Sequence, residues 1–160
     1  MNIFQSSFRK LTGYRELERC FRDGITPVCV TGLAQIHKAQ LIFAFSDERT
    51  SLIITDDDNS ARRLAEDINE MALEQTAAYF PSREYMMHSA EGISREYEYA
   101  RIGVLSRLIS GECRIVIAGA EAVMQMVPPA DVLKERSFSI EKGGEIRIEE
   151  LVEKIGRAHV

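Results

Sequence analysis

Four short strand-like runs, three of them rich in β-branched residues, are separated by helix-length amphipathic stretches and constrain this chain more than any other feature of its sequence. Pro27-Val28-Cys29-Val30-Thr31 is the first run, ending at Gly32, and Ser51-Leu52-Ile53-Ile54-Thr55 is the second. Ala77-Ala78-Tyr79-Phe80, closed by Pro81, is the third, and Arg114-Ile115-Val116-Ile117-Ala118-Gly119 the fourth. Between the runs, Ile36, Ala39, Leu41, Ile42 and Phe45 keep helical spacing, and Ala61, Leu64, Ala65, Ile68, Met71 and Ala72 share one helix face. Tyr97, Ala100, Val104, Leu105 and Leu108 mark a further helix, with Ser94 as its cap and Gly111 as its stop, and a short helix is expected from Glu121. Strands alternating with helices of this length imply right-handed βαβ units. The predicted fold class is therefore α/β, a parallel sheet near Val28, Ile53, Tyr79 and Ile115 with helices on both faces.

Pro128-Pro129 ends the alternation. Beyond it Ser137-Phe138-Ser139-Ile140 alternates as a strand would, Lys142-Gly143-Gly144 turns, and a helical pattern runs from Ile148 to Ile155. This tail is too short to bury a core alone, so it reads as the opening of a second domain. The expected division is a helical leader over 1–23, a main domain over 24–127 and the start of another over 128–154. The 160 residues, 45% hydrophobic and 28% charged, suit a globular chain that buries roughly two-thirds of its unfolded surface.

The formal charge of −5 and the lack of a Lys/Arg run argue against a strong nucleic-acid surface, because such binding rests on cations that neutralise phosphates. Cys20, Cys29 and Cys113 are far apart and outside any CxxC spacing. Cys29 and Cys113 read as small core residues in a reducing compartment. With His37, His88 and His159 they make no zinc pattern. The first residues lack the apolar segment of a signal peptide, and no run approaches the roughly 20 apolar residues that span a bilayer, so the expected setting is cytoplasmic, without membrane.

Gly32-Leu33-Ala34-Gln35-Ile36-His37-Lys38-Ala39 follows the first run and opens a helix, the place of a phosphate-binding P-loop, G-x-x-x-x-G-K-[S/T]. Gly32 and Lys38 match it. His37 replaces the second glycine, where a side chain crowds the phosphate, and Ala39 replaces the hydroxyl that would hold Mg²⁺. The loop is a degenerate P-loop relic, with no nucleotide, metal or catalytic residue expected. Asp56, Asp57 and Asp58 read as caps of the following helix rather than as an acidic metal-binding box. His88 reads as a loop histidine, since no nucleophile elbow accompanies it. Arg62, Arg63, Arg95, Arg101 and Arg107 read as solvated helix faces.

Several of these stretches resemble the UvrB-like module of bacterial transcription-repair coupling factors. Pro27 to Leu33 is similar to its opening strand and turn, and Phe80-Pro81-Ser82-Arg83-Glu84 to its F-P-x-x-E signature. His88-Ser89-Ala90-Glu91-Gly92-Ile93-Ser94-Arg95 resembles the stretch that follows, and Arg101, Leu105 and Leu108 an R-x-x-x-L-x-x-L helix. Ile115 to Ala122 and Pro128-Pro129 are similar to the strand and exit of the same module. The resemblance runs from about Tyr14 to Lys154. It implies a RecA-like domain 1a whose P-loop has decayed, followed by the first part of domain 2.

The resemblance further implies a parent protein that displaces stalled RNA polymerase from damaged DNA with a separate ATP- and Mg-dependent translocase motor. That parent recruits UvrA through domain 2 for nucleotide excision repair. The UvrA-contacting residues are expected beyond this chain, which would be a non-catalytic scaffold or interaction module. Ile155-Gly156-Arg157-Ala158-His159-Val160 matches a translated sequencing-adapter stretch, although the family carries a similar Gly and His-Val nearby. Two other readings stand beside this one. An active UvrB-like ATPase or helicase subunit requires an intact GK[S/T] and a DEAH-like box. A flavodoxin-like or receiver domain would have to close its own sheet without the segment from Ser137 onward.

Overall fold

The computed structural model describes residues 3–46, 50–83, 96–138, 140 and 142–157. It is an α/β protein in two compact units, Met1–Gln125 and Met126–Val160. The first unit contains a three-stranded parallel sheet made of β1 (Ser51–Thr55), β2 (Ala77–Phe80) and β3 (Ile115–Gly119), in the order β1-β3-β2. Ser51 to Thr55 pair with Ile115 to Gly119, and Ala77 to Phe80 with Ile115 to Ala118.

Side chains alternate across a strand, so odd- and even-numbered residues build two separate cores. On one face Ile53, Ala77, Tyr79, Ile115 and Ile117 pack with α3 (Gln35–Phe45) and α4 (Asp58–Ala72). Ala61, Leu64, Ala65, Ile68 and Met71 are buried there, as the helical spacing predicts, and Ile68 is completely enclosed. Burying a side chain of that size stabilises the unit by roughly 1.5–3 kcal/mol. On the other face Ala78, Phe80, Val116 and Ala118 pack with Val104, Leu105 and Leu108 of α5 (Glu96–Ser110) and Ala122 of α6 (Ala120–Met124). Gly111, with φ +80°, ends α5 in the left-handed conformation that glycine adopts without strain.

Two helices precede this core, α1 (Ile3–Phe8) and α2 (Thr12–Arg22). Tyr14 stacks on Phe45 with ring centroids 4.5 Å apart, and Phe21 meets Phe45 edge-on at 5.4 Å. Arg9 and the Tyr14 hydroxyl both donate to the Ala44 carbonyl, at 3.0 and 3.3 Å, which satisfies an acceptor at the end of α3.

The first expected strand does not form. Pro27–Thr31 is irregular chain, with Val28 and Val30 36% and 46% exposed, and Cys29 is exposed rather than in the core. Pro27 has no N–H to donate, and β-branched composition makes a strand only when a neighbour supplies the ladder. Among the described residues β1 has one neighbour, β3. Leu52 and Ile54 lie opposite Val116 and Ala118, on the α5 side of the sheet, yet each is 57% exposed because α5 and α6 cover mainly β2 and β3.

The second unit holds α7 (Ala130–Arg136), which the sequence reading did not anticipate, and α8 (Ile148–Arg157). Ser137, Phe138 and Ile140 are irregular rather than a strand, and Ser139 lies outside the described residues. Lys142-Gly143 turns, with Gly143 at φ +88°.

Candidate functional site

In a parallel sheet with helices on both faces, ligands enter at the carboxyl ends of the strands, where neighbouring connections depart to opposite sides. Here that place is between Thr55 of β1, which leads to α4, and Gly119 of β3, which leads to α6. The chain fills it itself. The Thr55 hydroxyl lies 2.8 Å from the Asp57 carbonyl and 3.3 Å from that of Ala118. Gly119 is obligatory for space: a Cβ there would stand 2.7 Å from Asp58 Oδ1 and 3.0 Å from the Asp57 carbonyl carbon and the Asp58 nitrogen.

Asp57 is the N-cap of α4, its Oδ1 accepting from the Ser60 N–H at 2.6 Å. That backbone bond, with the Ser60 side chain, holds its carboxyl below the usual range. The cap expected of this acidic run is thus met by one residue. Asp58 does something else: its Oδ2 accepts from the Ser82 N–H at 2.9 Å and the Ser82 hydroxyl at 2.7 Å. Burial first, and then the nearby Asp58 carboxylate, push the Tyr79 phenol well above its ordinary range, so it stays protonated.

Asp58 is one of three side chains that converge on Pro81-Ser82-Arg83. Arg101 of α5 is 3% exposed, not the solvated residue its charge suggested. It donates Nη1 to the Pro81 carbonyl at 2.6 Å and stands 4.1 Å from the centroid of the Phe80 ring. The signal was present in the sequence, because position 101 falls on the apolar stripe of 97, 104, 105 and 108. Gln125 completes the set. Its Oε1 accepts from the Arg83 N–H at 2.8 Å and its Nε2 donates to the Arg83 carbonyl at 3.4 Å. Arg107 is half-buried and caps the Gln75 carbonyl at 2.8 Å, whereas Arg62 and Arg63 are exposed as expected.

In the stretch Gly32–Ala39, expected to be a degenerate P-loop, Gly32 has φ +79° in irregular chain, and His37 and Lys38 are exposed on the first turn of α3. Ala39 is fully buried beside Phe43 and the α4 residues. A hydroxyl at that place would be enclosed by apolar side chains. His88, Ser94 and Arg95 lie outside the described residues, as does Glu84. Among the described residues no group of His, Cys, Asp and Glu is placed to hold a metal ion, and no helix is long and apolar enough to cross a membrane.

No family model matches the chain, and no solved structure matches it. Over 157 residues, 97% of this chain, it is 22% identical to the transcription-repair-coupling factor of Bacillus subtilis (strain 168). The chain spans 13% of that protein's length.

Proposed function

We propose that this chain is the amino-terminal piece of a transcription-repair coupling factor, in which a RecA-like domain 1a serves as a non-catalytic scaffold and leads into domain 2. The observation that carries the reading is the 22% identity over 97% of the chain to a protein of that name. Two features support the scaffold role. The P-loop position for a metal-holding hydroxyl is a buried alanine, Ala39, and the crevice at the strand ends is filled by Asp57 and Asp58 against Gly119. In this reading the parent acts in DNA repair. It displaces stalled RNA polymerase with a distant ATP- and Mg-dependent motor and recruits UvrA through the whole of domain 2.

Two measurements test it. Equilibrium dialysis with Mg-ATP is expected to show no specific binding, and a micromolar dissociation constant would show that the loop works. Immobilised UvrA is expected to retain a chain extended through all of domain 2 but not these 160 residues. A stable interface takes about 800 Å² of folded surface from each partner, and in this reading domain 2 is incomplete in these 160 residues. Equal retention of the short chain would move the UvrA surface onto domain 1a.

A further inference from the structure

We draw no further inference here: the strongest candidate, the apolar surface patch that Leu52 and Ile54 of β1 present on the α5 side of the sheet, each 57% exposed, carries nothing because nothing in the structure shows what covers it.

Discussion

Removing the Arg101 guanidinium is the sharpest perturbation the first unit offers. The side chain is 3% exposed, donates a 2.6 Å bond to the Pro81 carbonyl and lies 4.1 Å from the Phe80 ring centroid. A hydrogen bond from a charged donor contributes about 1.5–3 kcal/mol, and a desolvated cation over an aromatic face about 1–2 kcal/mol. Against this stands the cost of keeping a cation out of water, several kcal/mol, which any neutral replacement recovers in part. Arg101→Ala also leaves a void and an unsatisfied carbonyl, so a net loss of about 3 kcal/mol is expected. Arg101→Met fills the void and removes the buried charge, so its loss is expected near 1 kcal/mol. For a chain of this length these correspond to Tm decreases of about 9 °C and 3 °C. Urea titration followed by far-ultraviolet circular dichroism measures both. An Arg101→Ala midpoint equivalent to less than about 0.5 kcal/mol of change would mean that the guanidinium is solvated and the reasoning is wrong.

Gly119→Ala is expected to cost about 2 kcal/mol, because its Cβ meets the backbone of Asp57 and Asp58 at 3.0 Å; a thermal melt unchanged from the parent would refute this. Asp57 has a folded-state pKa below its ordinary 3.8, so its contribution is fully present above that value and lost as pH falls through and below it. Asp57→Asn retains a cap without a charge, and its Tm is therefore expected to vary less with acidification over that range than the parent's. Cys113 is buried, and burial raises its thiol pKa, so a disulfide reagent at neutral pH should label exposed Cys29 first and reach Cys113 only on unfolding. Labelling of Cys113 at the rate of Cys29 would contradict its placement.

The parts of the fold that were legible in the sequence are those that local signals encode. The face of α4 could be named residue by residue, since a 3.6-residue period bounded by Asp57 and β2 leaves one arrangement. Three strands stand where apolar runs predicted them. Val28 and Val30 had the same composition, but pairing is a property of neighbours rather than of the run. The clamp on Pro81–Arg83 was not read for a related reason. Asp58 and Ser82 are 24 residues apart, and Arg101 and Pro81 are 20 apart, so nothing adjacent in sequence announces either bond. Arg101 sat on an apolar stripe, yet its charge assigned it to solvent. The spacing of Gly32 and Lys38 can be read in the sequence, whereas the burial of Ala39 emerged only with the packing of α3 on α4.

The outer edge of β1, unpaired among the described residues, bears on how such a chain behaves in a test tube. Leu52 and Ile54 send their backbone groups toward that edge, since Ser51 already bonds to Arg114 and alternate residues face the other way, and both side chains are more than half exposed. Ser-Leu-Ile-Ile-Thr is uncharged and rich in β-branched residues, the composition that templates cross-β stacking between molecules. The exposed carboxylates of Asp56 and Asp57 stand directly after it, where their charge opposes the approach of a second copy. Colloidal stability of the isolated chain should therefore fall in acid or in concentrated salt, where that repulsion is neutralised or screened.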